Sequence, residues 1–264
     1  MTDSIFNVLN NIATFAAIIQ FIIIIVGFGV YINKYWFSRF FLGFSHNKND
    51  KIDIVITTSE IKKDDIGGIH AARATTGIGQ ILGISIISRV IGKLYGKKNI
   101  EVQLSELIVQ RPDKDLVLLG GPSKNKLTKK YIRKLNEEHP SLNFEFDDVN
   151  LLLRIKDLTI SEPNLDIDKD GKVDTDYAVV LCSSNPFSAK NRRLILCAGF
   201  TSYGTAGGVV WLFEDVLSKG YKSLKKINHI GVLKKPSFAA IIKVDVVKNQ
   251  IVATECIRII QFRD

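Results

Sequence analysis

Residues 115–140 read DLVLLGGPSKNKLTKKYIRKLNEEHP and predict a strand, a glycine turn and a helix in direct succession. Residues 116–119 are all apolar, as in central strands that are buried on both faces of a parallel sheet. Apolar side chains then recur at helical spacing until Pro140, which ends the helix. They are Leu127, Tyr131, Ile132 and Leu135. This succession is typical of α/β domains, in which helices cover a parallel sheet.

The same alternation extends in both directions from this stretch. Strand-like segments cover residues 51–60, 100–107, 143–148, 151–155, 177–187 and 192–199, and helix-like segments cover 77–95 and 203–217. Residues 238–262 predict a β-hairpin that turns at Lys248-Asn249-Gln250, and residues 61–76 predict a loop. We therefore expect a Rossmann-like α/β domain with three layers, a mostly parallel sheet and a C-terminal antiparallel β-hairpin.

An uncharged apolar segment precedes this domain, since residues 12–32 read IATFAAIIQFIIIIVGFGVYI. As a helix that rises about 1.5 Å per residue, it crosses a hydrocarbon core of about 30 Å. A soluble core helix of this length normally has a polar face. A cleaved signal peptide needs a basic start, which MTDSIFNVLNN lacks. We predict a retained transmembrane anchor over 1–33, a juxtamembrane linker over 34–50 and the α/β domain over 51–264.

The flanks of this segment predict its orientation. All 36 Lys and Arg residues follow residue 33, so the basic flank lies on the C-terminal side. Under the positive-inside rule the domain lies in the cytoplasm and residues 1–11 lie outside, in a single-pass protein of the inner or plasma membrane. Three cysteines without Cys-x-x-Cys spacing agree with reduced thiols in the cytosol. They are Cys182, Cys197 and Cys256.

The formal net charge of +9 limits the classes of partner. A basic domain beside a membrane contacts anionic lipids or holds phosphate ligands, although a solvated basic surface gives the same charge. We predict the lipid bilayer as a partner, no specific nucleic-acid binding and no cofactor. We also predict no metal, since the four histidines have no metal-like spacing. Residues 166–174 resemble the start of a calcium loop, but Tyr177 replaces the required glutamate at the twelfth position. We interpret them as an acidic turn.

Polar residues and glycines follow three of the predicted strands. Because the carboxyl ends of parallel strands meet at one edge of a sheet, we expect these residues to share a ligand pocket. Glycine lets the backbone approach a ligand closely, and a helix N-terminus directly after it offers free N–H groups to an anion. The predicted ligand-binding residues are Thr57, Thr58 and Ser59, then Gly120, Gly121, Ser123 and Asn125, then Gly199, Thr201, Tyr203, Gly204 and Thr205.

These turns lack a specific nucleotide motif. Neither glycine turn has the P-loop spacing G-x-x-x-x-G-K-[ST] or the spacing G-x-G-x-x-G, and any strand-to-helix turn favours Gly, Ser and Asn. The sequence also lacks the G-x-S-x-G and H-E-x-x-H motifs of common hydrolases. Glu60 and Glu106 end two predicted strands and are the candidates for catalysis. A carboxylate beside a nucleoside can attack or position a glycosidic carbon.

Two elements resemble a known class of domain. The strand–GGP–SKN–helix element at 115–139 and the segment AGFTSYGTAGG at 198–208 are similar to elements of Rossmann-like nucleotide-sensing domains of bacterial conflict and signalling systems. Some of those domains are tethered to one or two membrane helices. The resemblance covers residues 53–217 and implies a nucleotide ligand and a role in antiviral defence or stress signalling. It carries over no catalytic residue.

Three functional hypotheses follow from these observations. The first is a membrane-anchored cytoplasmic sensor that binds a nucleotide or another phosphorylated small molecule across residues 120–125 and 199–208. The second is a nucleotide-processing enzyme, a glycosyl-bond hydrolase or transferase, that uses Glu60 or Glu106. The third is a membrane-tethered scaffold whose C-terminal hairpin offers an edge for strand addition to a second copy or to a defence-system partner.

Overall fold

Helices and strands alternate along most of the chain. The computed structural model describes residues 2–45, 50–57, 60–66, 69–75, 77–105, 113–161, 166–167, 173–190, 192–217 and 237–262. The helices are α1 (Thr2–Leu42), α2 (Ile78–Tyr95), α3 (Lys126–Glu138) and α4 (Ser202–Val209), and α4 continues as a π-helical segment, Val210–Val216. The strands are β1 (Ile52–Ile56), β2 (Glu60–Ile66), β3 (Ile69–Thr75), β4 (Ile100–Leu104), β5 (Asp115–Leu119), β6 (Glu145–Asp147), β7 (Leu152–Ile155), β8 (Leu158–Ile160), β9 (Asp166–Ile167), β10 (Val173–Ser184), β11 (Arg193–Gly199), β12 (Phe238–Val247) and β13 (Gln250–Gln261).

The main sheet has the strand order β13-β12-β10-β11-β5-β1-β4, and β9 pairs with β10 beside this row. Strands β11, β5, β1 and β4 are parallel, with Ile54 of β1 between Val117 of β5 and Val102 of β4. Strands β10, β12 and β13 are antiparallel to their neighbours. The structure thus confirms a mixed α/β fold with a mostly parallel central sheet and a C-terminal antiparallel hairpin. The antiparallel part also includes β10, because the connection 185–192 is too short for the crossover that a parallel pair needs.

Two hydrophobic cores lie on opposite faces of the main sheet, because successive side chains of a strand point to opposite faces. In β5, Val117 and Leu119 pack in one core with α2, α4 and the end of α1. Leu116 and Leu118 pack in the other core with α3 and a small antiparallel sheet, β6-β7-β8. The main sheet is therefore the middle of three layers.

The two hairpins differ in how well the sequence predicts them. Lys248 and Asn249 have φ angles of 50° and 62°, the left-handed values that a two-residue type I′ turn requires, so the C-terminal hairpin turns as predicted. The predicted loop at 61–76 is wrong, because β2 and β3 pair along their whole length. The sequence Gly67-Gly68 between them is a hairpin signal. The residues on either side of Gly67-Gly68 lack the alternation of polar and apolar side chains that a half-buried strand shows. For this reason the segment resembles a loop in sequence.

Helix α1 is exposed over its most apolar part and buried at its end. The side chains of residues 18–32 are exposed, whereas Phe41 and Phe44 are at most 3% exposed and belong to the core beside α2. The Tyr35 hydroxyl donates a hydrogen bond of 3.1 Å to the carbonyl of Leu94 in α2. The helix therefore extends past residue 33 without a break, and its last turns pack on the domain.

Among the residues that the structure describes, two helical segments are long and apolar enough to cross a membrane. They are Ile18–Leu42, with a mean hydropathy of 1.7, and Ile78–Tyr95, with a mean hydropathy of 1.3. The second is 44% buried in the domain, as a core helix is. The first lies near the N-terminus, and a signal sequence has the same apolar character.

Candidate functional site

The carboxyl ends of the four parallel strands lie side by side at one edge of the main sheet. After β1 the chain leads to α2 on one face of the sheet, and after β5 it leads to α3 on the other face. The topological switch therefore falls between β1 and β5, which is where open α/β sheets bind their ligands. Thr57 and Gly120 follow these two strands.

A glutamine from α2 fills the crevice at this switch. The side-chain amide of Gln80 donates a hydrogen bond of 2.9 Å to the Thr57 hydroxyl. Gln80 is 7% exposed and Thr57 is 1% exposed. Gly120 has a φ of 100°, and a Cβ there would lie 3.0 Å from the Gln80 nitrogen. The Gln80 side-chain amide therefore closes the crevice between β1 and β5, where a ligand would bind.

The first glycine turn binds a carboxylate of the protein itself. Asp148 accepts hydrogen bonds from the backbone N–H of Ser123, at 3.0 Å, and from its hydroxyl, at 2.7 Å. A Cβ on Gly121 would lie 2.1 Å from a carboxylate oxygen of Asp148. The Asp148 carboxylate therefore occupies the position at which the sequence predicts an anionic ligand. Ser123 is exposed and Asp148 is partly exposed, so solvent reaches this contact.

Asn125 caps the helix that follows this turn. Its side-chain oxygen accepts hydrogen bonds from the N–H groups of Leu127 and Thr128, and its side-chain amide donates to the carbonyl of Leu119. The residue is fully buried. These contacts satisfy donors that any α-helix leaves free at its start. Asn125 thus acts as a helix cap, and none of these contacts points to a ligand.

The second glycine turn also binds a carboxylate, in a buried setting. Asp176 is fully buried and accepts hydrogen bonds from the N–H of Gly204, at 2.6 Å, and of Thr201, at 3.2 Å. It accepts two more, from the Thr201 hydroxyl and from the N–H of Tyr177. Burial raises the pKa of the Asp176 carboxyl, and these hydrogen bonds partly oppose that shift. The donors at the start of α4 are therefore already satisfied by a carboxyl group of the protein itself.

The other residues of the second turn are held by hydrogen bonds within the turn and by contact with α2. The N–H of Gly199 donates to the Thr205 hydroxyl at 3.1 Å, and the N–H of Tyr203 donates to the Thr201 hydroxyl at 3.1 Å. The first turn of α2 lies directly against α4, since a Cβ on Gly79 would lie 1.8 Å from the carbonyl oxygen of Ser202. This close contact leaves no space for a ligand between α2 and α4.

A cavity of about 390 Å³ opens beside the first glycine turn, and we call it the Ser123 cavity. Its volume lies in the range of small-molecule sites. Two cations of α3 and three carboxylates line it together with apolar groups, and hydrogen bonds from the Val149–Asn150 turn lower the pKa of the Asp147 carboxyl. The lining residues are Pro122, Ser123, Lys129, Ile132, Arg133, Glu145, Phe146, Asp147, Asp148 and Val149.

Three of the predicted site residues lie outside the residues that the structure describes. They are Thr58, Ser59 and Glu106. Glu60 is described only as the first residue of β2, opposite Thr75. No cluster of metal-binding side chains occurs within the described ranges. Of the acidic segment 166–174, residues 168–172 lie outside those ranges.

Three residues that shape this edge were not predicted from the sequence: Gln80, Asp148 and Asp176. The sequence does give an indication for Gln80, since it is one of the few polar residues in an apolar helix. Asp176 directly precedes a long apolar strand segment, where a charged residue that becomes buried needs partners. Asp148 has no local signal, because its partner Ser123 is 25 residues away.

Comparison with protein-family models gives no match to this chain, and comparison with curated proteins gives none.

Proposed function

We propose that the chain is a membrane-anchored cytoplasmic sensor module that binds a nucleotide or another phosphorylated small molecule in the Ser123 cavity. The observation that carries this proposal is the contact of Asp148 with both polar groups of Ser123. A phosphate group can replace this carboxylate, because it accepts the same two hydrogen bonds. The contact is open to solvent, so the exchange needs no rearrangement of the core.

The charges of the Ser123 cavity suit a phosphorylated ligand with hydroxyl groups. Lys129 and Arg133 supply positive charge for a phosphate. Glu145 and Asp147 line the same cavity and can accept hydrogen bonds from sugar hydroxyls. A nucleotide or a sugar phosphate carries both kinds of group.

The second glycine turn is excluded from this proposal. The Asp176 carboxylate is fully buried and holds the donors at the start of α4. Removing it would leave those donors without a partner inside the protein, at a cost of about 1–3 kcal/mol for each group that stays unsatisfied. We therefore assign Thr201, Gly204 and Thr205 a structural role and place the ligand at the first turn alone.

Membrane anchoring is the second part of the proposal. The exposed apolar stretch 18–32 needs an apolar environment, and a bilayer supplies one. The basic residues that follow it favour a cytoplasmic domain. A phosphatase that works only outside the cytoplasm, fused after Asp264, tests the orientation, and activity of this fusion contradicts it.

Ligand binding is tested with the full chain in lipid nanodiscs. We expect thermal stabilisation by at least one phosphorylated ligand from a panel of nucleotides and sugar phosphates, and none by the matching nucleosides and sugars. Asp148→Ala removes the competing charge and should raise affinity for that ligand about fivefold or more. Arg133→Gln should lower it, whereas Lys130→Gln on an exposed part of α3 outside the cavity should not. A folded protein that no phosphorylated ligand stabilises contradicts the proposal.

The outer strand β13 favours the scaffold as a second candidate function. It forms one end of the main sheet and has exposed apolar side chains at Val252 and Ile257. Edge strands of this kind pair with strands of other chains. The double variant Val252→Lys/Ile257→Lys should abolish self-association measured by sedimentation in detergent. A monomeric parent protein contradicts pairing with a second copy.

A further inference from the structure

A groove lies where α1 meets the domain, and we call it the α1 groove. It has a volume of about 260 Å³ and lies between α1, α2 and the π-helical segment. Its residues are Tyr31, Tyr35, Ser38, Arg89, Val90, Lys93, Leu94, Phe213 and Leu217. The groove is remote from the Ser123 cavity, since it lies on the other face of the main sheet.

The position of the α1 groove relates it to the apolar stretch of α1. The exposed residues 18–32 end at the groove, where Tyr31 is one of its walls. On another side of α1, Trp36 and Phe40 stack with ring centroids 5.6 Å apart, and both are nearly half exposed. Tryptophan and tyrosine, here Trp36 and Tyr31, are typical of the level of lipid headgroups. In the anchored protein, the α1 groove therefore opens at that level.

The chemistry of the α1 groove combines an apolar floor with positive charge at the rim. Phe213 and Leu94 are buried at its base. The ammonium group of Lys93 lies 5.7 Å from the centre of the Tyr31 ring. Arg89 forms an ion pair with Glu214, so part of its charge is already neutralised. Lys93 takes part in no ion pair with the side chains that the structure describes, and its charge remains available to an anion.

We propose that the α1 groove binds one anionic phospholipid of the bilayer, and this inference rests on the proposed membrane anchoring. The lipid phosphate lies against Lys93, and the headgroup is shielded by Tyr31 and Tyr35. An acyl chain follows the exposed apolar face of α1 over residues 18–32. A soluble phosphate would gain the charge contact but would leave the apolar floor in water, so the combination favours a lipid.

The test uses the full chain purified in mild detergent and native mass spectrometry of lipids that remain bound. Protein reconstituted with phosphatidylcholine and phosphatidylglycerol in equal amounts should retain one phosphatidylglycerol. Lys93→Gln should lower that retention about fivefold, the effect of one lysine beside an anionic membrane surface. Lys98→Gln is the matched control, because Lys98 is exposed close to the end of α2 and does not line the groove. This control should retain the lipid like the parent.

A second variant distinguishes lipid binding in the α1 groove from general attraction of the lipid by surface charge. Val90→Trp fills the α1 groove and leaves every charge in place, so it should also lower retention while the melting temperature stays within a few degrees of the parent. Equal losses for Lys93→Gln and Lys98→Gln, or full retention by a folded Val90→Trp protein, overturn the proposal. Soluble glycerol phosphate that competes as well as the lipid also overturns it.

The same samples distinguish this inference from the anchoring on which it rests. If alkaline carbonate extracts the chain from membranes, anchoring fails and the lipid site fails with it. If the chain resists extraction but retains no anionic lipid selectively, only the lipid site is wrong.

Discussion

The two glycine turns look alike in sequence but hold their carboxylates in opposite ways. At the first turn, Asp148 reaches the N–H and hydroxyl of Ser123 from a partly exposed position. At the second turn, Asp176 is fully buried and accepts four hydrogen bonds, three from Thr201 and Gly204 at the start of α4 and one from the N–H of Tyr177 in β10. A solvated contact breaks at little cost and a buried one does not, so the carboxylate of the first turn is the easier of the two to displace.

The largest expected difference between the turns comes from removing the two carboxylates. Asp176→Ala should lower the free energy of unfolding by about 2–4 kcal/mol, since it leaves buried N–H groups without an acceptor and removes a helix cap. Asp148→Ala should lower it by less than about 1 kcal/mol, because water replaces the carboxylate. Chemical denaturation of the full chain in detergent measures both values. Equal losses would show that the two turns are equivalent after all.

A methyl group added at each turn should give the next largest effect. Gly199→Ala places a Cβ 2.2 Å from the backbone nitrogen of Thr205, which cannot move away, so we expect a loss of about 1–3 kcal/mol. Gly121→Ala meets the Asp148 side chain, whose carboxylate can rotate into solvent but whose Cβ also lies 2.9 Å from the added methyl group. This second substitution should cost less than Gly199→Ala, because a side chain shifts more easily than the backbone of Thr205. Thermal unfolding of the two variants side by side gives the order, and a reversed order contradicts the assignment.

Removing the helix caps of the two turns should change stability by more similar amounts. Here the larger loss should occur at the first turn. Asn125→Ala should lower the free energy of unfolding by about 1–2 kcal/mol, because Asn125 is fully buried and bonds both to the start of α3 and to the carbonyl of Leu119. Thr201→Ala should cost about 0.5–1 kcal/mol, since Asp176 still holds the N–H groups at its turn. Helix content by circular dichroism should stay near the parent value in both variants. A larger loss for Thr201→Ala would show that the hydroxyl, and not Asp176, is the main cap.

The smallest expected effect is the change in the free energy of unfolding with pH. Burial raises the pKa of Asp176 above the ordinary value of 3.8, so the folded chain holds this proton more tightly than the unfolded chain does. As the pH rises from 3.8 through the folded pKa, the unfolded state binds fewer protons, and the free energy of unfolding falls. Asp176→Asn lacks this contribution. Denaturation from about pH 4 to about pH 7 should show the parent losing stability relative to the variant. A relative gain would mean that the hydrogen bonds outweigh burial.

Much of the fold could be predicted because its strongest patterns are local. The apolar run in β5 is buried on both faces, and the residues Lys248-Asn249 take the left-handed angles of a hairpin turn. The hairpin β2–β3 was missed because its polar residues lack the alternation of a half-buried strand. The extent of the antiparallel region was also missed, since strand direction depends on how the sheet is assembled.

The candidate site was predictable only in part. The sequence predicts an anionic ligand at two turns, whereas in the structure each turn binds a carboxyl group of the protein itself. The sequence does not indicate that these groups are Asp148 and Asp176, each 25 residues from the hydroxyl residue that it binds. Gln80 in the crevice was missed for the same reason, because its partner Thr57 becomes a neighbour only after the sheet has formed.

The unbroken course of α1 gives the molecule a mechanical property. A flexible tether would absorb any twist or tilt of the exposed apolar stretch, but a continuous helix passes it on to Tyr35 and Phe41, which are packed on the domain. Tyr35 bonds to the last turn of α2, and Gln80 in the first turn of α2 bonds to Thr57 at the far edge of the sheet. Helix α2 spans about 21 Å between these two contacts, at about 1.5 Å per residue from Gln80 to Leu94. The chain therefore contains a stiff lever between the surroundings of α1 and the edge where the strands end.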